Sequence, residues 1–237
     1  MYREEILLQN YQQLLSSLQR AAQRVGRNPS EVTLLAVTKY AKDEDVLFLL
    51  KQGVLTDVGE SRVQQAWKRW HDTPAFASFS HIKKHFIGHL QTNKAAKAAQ
   101  LFDWIDSLDN FQTAQALAKH APAGKVLKTL VQIKLTHKDT QSGLPLTEAR
   151  QLARQLRGAF ENVDVCGYMA VAPQEANPTE LRALFKPVAN AFWEDFNGHP
   201  QAHLSLGMSN DFEIAVEEGS TLPRIGSLLF SHHLEGI

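Results

Sequence analysis

The sequence predicts an α/β chain folded as one (β/α)8 barrel of the TIM type, with an extra helix at its N-terminus. Three observations lead there. About eight short apolar runs of strand length alternate with stretches of helical spacing along the whole chain. The first of them, Val32 to Val37, is near-continuous rather than alternating, as in a parallel strand buried on both faces. The length of 237 residues matches one barrel, so residues 1–237 are expected to form a single domain. An open doubly wound sheet is the alternative, but it usually has fewer strands and a glycine-rich first turn, which is absent here.

From Ile6 onward, Leu7, Tyr11, Leu14, Leu15, Leu18, Ala22 and Val25 recur at the spacing of one helix face, and Gly26 is placed to end that helix. Val32 to Val37 is the first expected strand. Asp43 caps a helix through Leu50 that ends at Gly53, a short strand leads to Val58, and Ser61 to Trp70 again has helical spacing. Further strands are expected at His85 to Gly88, Trp104 to Leu108, Leu127 to Leu135, Val163 to Met169, Ala202 to Leu206 and Leu222 to Gly226. Helices between them should start near Thr92, Asn110, Thr147, Thr179 and Asn210, several of these being good N-cap residues. Strands joined by helical crossovers lie parallel. The segment His71 to His81, with Pro74, Ser78 and Ser80, reads as a surface loop rather than a domain boundary.

Lys plus Arg and Asp plus Glu are both 25, so no net positive field draws nucleic acid or anionic lipid. Neither is an expected partner, and Lys83, Lys84, Lys94 and Lys97 read as solvated surface. Cys166 is the only cysteine and lies in an apolar run, which marks a core thiol in a reducing compartment. The N-terminal MYREEILLQNYQQLL places acidic residues after a single arginine and lacks a signal-peptide core, and no run reaches membrane-spanning length. A cytoplasmic location without membrane association is expected. The first helix has a mixed polar face, which suits packing on the barrel. His81, His85 and His89 are four apart, yet the last two fall around a strand, and no zinc-protease, CxxC or P-loop pattern occurs, so no metal site is expected. His232 and His233 read as a solvated tail.

In such a barrel the reactive groups collect where strands end. The first strand ends in Ala36-Val37-Thr38-Lys39-Tyr40, which puts a lysine directly after a buried run at the barrel mouth. Desolvation favours an amine in its neutral form, the form that attacks an aldehyde. Lys39 is therefore the candidate Schiff-base lysine, against the alternative that the strand simply ends in a solvated lysine. Leu204 to Asp211 reads as a strand, a small-residue turn and a helix start, which offers backbone N–H groups to an anion. The last strand, in Gly219 to Ser227, again ends in a glycine and a hydroxyl. These two strand ends can converge on one phosphate, the habitual position after strands seven and eight; ordinary turns, with Ser209 capping a helix, are the alternative. Arg224 lies inside the final apolar strand and is costly to bury without an acceptor, either a ligand heteroatom or a carboxylate. Lysine, phosphate cup and inward arginine together suit an aldehyde-bearing phosphorylated cofactor, and pyridoxal 5′-phosphate (PLP) meets that description.

The stretches LLAVTKY (34–40), VGESRVQ (58–64), HFIGHLQTNK (85–94), LGMSNDFEIAVEEGST (206–221) and RIGSLLF (224–230) run in order over nearly the whole chain. Together they resemble the pyridoxal phosphate homeostasis proteins, a family that looks like the barrel domain of bacterial alanine racemase without its second domain. The resemblance implies that Lys39 carries PLP, that Ser209, Gly226 and Ser227 hold its phosphate, and that Arg224 meets the pyridine nitrogen. It also implies that Met169, followed by Ala170 in GYMAVAP, and Met208 border the cofactor, with no residue in a catalytic role. Ser61 stands where the family more often has asparagine, Ser227 stands where threonine is usual, and KLTHKDTQSG at 134–143 departs from the family pattern.

PLP drives carbanion chemistry best when a carboxylate keeps its ring nitrogen protonated. An arginine can only donate, so the nitrogen stays unprotonated and the cofactor becomes a weaker electron sink. Only SHHLEGI follows RIGSLLF, so no second domain of the racemase kind is expected. The resemblance thus implies PLP homeostasis: carrying, buffering or delivering PLP to PLP-dependent apoenzymes and balancing amino-acid and keto-acid pools, with at most weak side activity. A PLP-dependent amino-acid racemase and a Schiff-base aldolase without PLP are the rivals. The family suggests a monomer or weak dimer.

Overall fold

All eight expected strands lie in one parallel sheet, ordered β7-β6-β5-β4-β3-β2-β1-β8. They are β1 (Leu35–Val37), β2 (Asp57–Glu60), β3 (Lys83–Phe86), β4 (Trp104–Leu108), β5 (Leu127–Lys134), β6 (Val163–Val171), β7 (His203–Ser205) and β8 (Arg224–Ile225). The computed structural model describes residues 2–136 and 142–232. Residues 137–141 of the divergent stretch and His233 therefore lie outside the described residues. Between the edge strands β7 and β8 the seam is joined less regularly: the Leu204 carbonyl accepts from the N–H groups of Thr221 (2.9 Å) and Leu222 (3.1 Å), and the Gly207 carbonyl accepts from the Arg224 N–H (3.0 Å). The sheet thereby curls into the expected barrel.

Each strand is followed by a helix: α2 (Asp43–Lys51), α3 (Val63–Trp67), α4 (Ala95–Leu101), α5 (Phe111–His120), α6 (Leu146–Leu156), α7 (Pro178–Phe196), α8 (Phe212–Glu217) and α9 (Ser227–Phe230), with α1 (Arg3–Arg24) preceding them all. Asn110 caps α5 as expected, whereas Asp43 is not a cap but the first residue of α2, after Lys42, and α6, α7 and α8 are preceded by Pro145, Asn177 and Asp211 rather than capped at Thr147, Thr179 and Asn210. Asn110 accepts the Thr113 N–H at 2.7 Å, and Asn177 and Glu180 cap each other reciprocally at the start of α7. α1 buries Leu7, Leu14, Leu18, Ala21 and Ala22, and packing on the barrel is indeed its role. The Arg3 guanidinium joins Asp45 of α2 (2.6 Å) to the carbonyls of Phe230 (2.9 Å) and Ser231 (2.6 Å), so the helix ties the first βα unit to the last. No helix among the described residues is long and apolar enough to cross a membrane.

Several expected boundaries move, β1, β7 and β8 being shorter than their apolar runs, and two of the shifts have a plain local cause. β3 starts at Lys83 rather than His85 because its first half carries two lysines, which break the apolar run while their backbone pairs with β2. The segment 71–81 is not a plain loop. A π-helical turn spans Lys68–Asp72 and a 3-10 helix spans Pro74–Phe79, with Phe76 buried edge-on against Trp70 at 5.0 Å. Short non-α turns have no apolar period to detect.

Strand alternation divides the core. One face packs against the helices, while Leu35, Trp104, Leu130, Cys166, Met169 and Leu222 form a separate cluster inside the barrel. The interior also holds charge. His85 is fully buried, with Nδ1 at 3.0 Å from Asp106, Nε2 at 3.2 Å from Asp57, and its ring stacked 5.1 Å from Trp104. Burial alone would lower its pKa, but the charge of Asp106 and hydrogen bonds to both carboxylates raise it to about 9, so the ring is an imidazolium at neutral pH. Burial and the nearby His85 charge push His203 the other way, to about 4.

A group raised from 6.5 to about 9 on folding stabilises the fold fully below the unfolded value and loses that contribution as pH climbs through the folded one. Denaturant titrations should show stability falling by about 3 kcal/mol between pH 6 and 10 from this group alone. In His85→Gln that slope should disappear, and stability at neutral pH should fall by roughly 3–5 kcal/mol because two buried carboxylates lose their cation.

Candidate functional site

The loops leaving β1, β6, β7 and β8 enclose a cavity of about 520 Å³ at the C-terminal end of the barrel. Lys39, Met208, Ser209, Arg224, Gly226 and Ser227 all line it, so six of the seven residues singled out from the sequence come together. Met169 does not. It is 1% exposed and packs in the barrel interior with Leu35, Trp104 and Leu130. β6 runs two residues past the expected end, to Val171, and it is Ala172 and Pro173 beyond it that reach the cavity wall. Ser61 lines a separate small hollow with Arg62, His89 and Lys94.

Lys39 sits in a turn two residues past β1, closed by the Ala41 N–H donating to the Thr38 carbonyl at 2.9 Å. It is half-buried, with its ammonium 5.1 Å from the ring centroid of the exposed Tyr40, a cation–π distance. The turn rests on a group that the sequence reading missed. The buried Glu60 carboxylate accepts from Thr38 Oγ1 (2.8 Å), Arg69 Nη1 (2.7 Å) and Trp70 Nε1 (3.3 Å). Arg69 also donates to the carbonyls of Thr38 (2.8 Å) and Ala41 (2.7 Å). A glutamate closing a buried strand was the available signal, because such a residue must be paired.

Arg224 is 4% exposed. The expected acceptor is neither a ligand nor a carboxylate within bonding distance. Nη1 donates to the carbonyl and the hydroxyl of Ser205 (both 2.8 Å), and Nη2 donates to the Ala170 carbonyl (2.8 Å). Strand ends at the rim leave carbonyls unpaired, and these satisfy the guanidinium. Its Nε makes no hydrogen bond to a described residue, and the side chain lines the cavity. Burial lowers the Arg224 pKa to about 10, against the opposing charges of Asp106 and Asp211, so the group remains a cation at neutral pH.

The two serines meet: Ser227 Oγ donates to Ser209 Oγ at 2.8 Å. The backbone N–H groups of Ser209, Asn210 and Ser227 form no hydrogen bond among the described residues. Ser209 is not a helix cap, since Asp211 takes that position at α8 and accepts the Met208 N–H at 2.5 Å. Burial raises the Asp211 pKa. Two glycines make these turns possible. Gly207 has φ +90, and a Cβ there would lie 2.6 Å from Ala215 Cβ and 2.9 Å from Phe212 Cα; at Gly226 it would lie 2.9 Å from the Val37 carbonyl oxygen.

One trio of metal-ligating types, Asp164, Cys166 and His199, brings its ligand atoms within 4.8 Å of one another. Lys128 already sits 2.7 Å from Asp164, and burial, followed by the Asp164 charge, raises the Cys166 thiol to about 12. This is the core thiol expected from the sequence.

No family model matches the chain. Among curated proteins, the pyridoxal phosphate homeostasis protein of Pasteurella multocida (strain Pm70) is 33% identical over 234 residues, covering 94% of this chain and 95% of its own. Among solved structures, PipY of Synechococcus elongatus PCC7942, solved with PLP bound, superposes with a TM-score of 0.75 at 32% identity, covering 91% of this chain and 100% of that one. Alanine racemase from E. faecalis shares the fold at a TM-score of 0.67 and 13% identity, covering 94% of this chain and 58% of its own.

Gly207→Ala adds left-handed backbone strain to an overlap with α8, and should destabilise the protein by about 2–4 kcal/mol. The check is the denaturation midpoint, which should be lowered at unchanged m-value.

Proposed function

Because the chain belongs to the pyridoxal phosphate homeostasis protein family, we propose that it binds PLP as a Schiff base on Lys39. In this reading it serves intracellular PLP homeostasis in the cytoplasm, as carrier, buffer or source for PLP-dependent apoenzymes, acting as a monomer or weak dimer without efficient turnover. The observation that carries the reading is that one cavity assembles an amine, an anion cradle and a buried arginine in the complementary places. PipY, which binds PLP, supports it from outside the chain.

When bound, PLP supplies an aldehyde and an electron-withdrawing ring. The chain's own residues do the rest. Lys39 offers the nucleophilic nitrogen from a braced turn. The hydroxyls of Ser209 and Ser227, with the backbone N–H groups beside them, offer donors to the phosphate oxygens. Gly226 lets that backbone approach, since a side chain there would press on the Val37 carbonyl. Met208 borders the same space. Arg224 has its two terminal nitrogens held on Ser205 and Ala170, so its guanidinium is fixed in place as a donor for an unprotonated ring nitrogen.

The same lining argues against efficient catalysis. Among the described residues its cations are Lys39 and Arg224, both committed to the cofactor in this reading, so none of these remains to grip the carboxylate of an amino acid. Tyr40 lies beside the lysine rather than across from it, and the Asp211 carboxylate is held by the Met208 N–H. Among the described residues, the lining offers no further acid or base for the opposite face, which racemisation needs.

PLP added to the apoprotein should produce a visible absorbance band in the wild type and none in Lys39→Ala. With alanine and serine enantiomers the loaded protein should turn over far below the roughly 10 s⁻¹ of an ordinary enzyme; rates near that value would establish the racemase reading.

A further inference from the structure

We propose that Arg69 and Glu60 are the positioning pair of this site, a clamp that fixes the Lys39 turn so that its amine is presented to the aldehyde of a pyridoxal-type ligand. The inference rests on the reading of Lys39 as the Schiff-base residue and deepens it.

The geometry is specific. One guanidinium grips both carbonyls that bracket Lys39 and Tyr40, those of Thr38 (2.8 Å) and Ala41 (2.7 Å), while the same side chain binds Glu60 at 2.7 Å. Glu60 in turn takes the Thr38 hydroxyl at 2.8 Å, so backbone and side chain of the residue before the lysine are both held. The Arg69 and Glu60 side chains are 13% and 2% exposed. An ion pair withdrawn this far from water gains little net stability, because desolvation offsets the attraction. Its worth lies in geometry, and a planar fork fixes two carbonyls at once as an ammonium cannot.

The local fold is bent to the same end. α3 stops at Trp67 and the chain widens into the π-helical turn Lys68–Asp72. Such widening is costly and recurs at functional sites. Here it places Arg69 and Trp70, neighbours in sequence, on the same carboxylate oxygen. The exposed contact of Arg69 with Asp43, at 2.7 Å, sits outside this core, which provides an internal control.

The test compares wild type with Arg69→Met, Arg69→Lys, Glu60→Gln and Asp43→Asn, each checked for a cooperative thermal transition. Hydrogen exchange of the apoprotein reads the turn itself, and PLP titration with borohydride trapping reads its consequence. Arg69→Met and Arg69→Lys should speed exchange of the Ala41 amide. They should also weaken PLP binding by about tenfold, the loss of roughly one charge-assisted hydrogen bond, and shift the pH midpoint of the visible band. Glu60→Gln should do the same to a smaller degree, keeping an acceptor without its charge. Asp43→Asn should match the wild type. If the Arg69 variants fail to fold, the Glu60→Gln measurements decide. Folded variants with wild-type exchange, affinity and midpoint overturn the clamp. A wild type that yields no adduct overturns the cofactor reading instead, and the Ala41 exchange alone then decides whether the clamp stands.

Discussion

A guanidinium almost wholly withdrawn from water, that of Arg224, governs how the mouth of this barrel is built. A buried cation must be met by acceptors or the fold does not form. The acceptors are two strand-end carbonyls and one hydroxyl, from Ala170 at the end of β6 and Ser205 at the end of β7. One side chain on the last strand therefore holds three neighbouring strand ends in register where the β7–β8 ladder is least regular. The serine cradle hangs on that seam, since Ser209 follows β7 and Ser227 follows β8. The same side chain lines the cavity.

The amine side of the mouth is organised by a buried ion pair, and the barrel interior by a further group of charges. Glu60 with Arg69 holds the turn carrying Lys39, and Asp57, His85 and Asp106 hold an imidazolium inside the barrel. Asp106 also acts on Arg224 through its charge. The interior is thus a graded electrostatic medium rather than an apolar plug, with rigid charged anchors at several strands. Such anchoring suits a site that holds its ligand and presents it, because little in the lining is free to move a proton.

Much of this was legible in the residues, for reasons that differ by element. β4 falls on Trp104–Leu108 as expected, because Trp104, Ile105 and Leu108 mark a short apolar segment of strand length even with the buried Asp106 and Ser107 inside it. β3 starts earlier than expected because Lys83 and Lys84 interrupt the apolar run while their backbone stays in the ladder, the Lys84 ammonium resting against Asp103. Lys39, Ser209, Arg224 and Gly226 come together at one cavity as expected, because an unusual residue type in or just after a strand end is a local signal. Met169 was misplaced because one extra strand turn carried the rim to Ala172. The Glu60–Arg69 and Asp57–His85–Asp106 groups were hidden, because each is a long-range pairing whose members are ordinary charges in the sequence and become informative only once burial is known.

The proposed role of the cavity depends on Lys39 carrying the cofactor. Borohydride reduction of the PLP-loaded protein, followed by peptide mass mapping, tests this directly. A phosphopyridoxyl group is expected on the peptide containing Lys39 and on no other lysine at stoichiometric PLP. An adduct spread over surface lysines, or none at all after PLP is added, would contradict it.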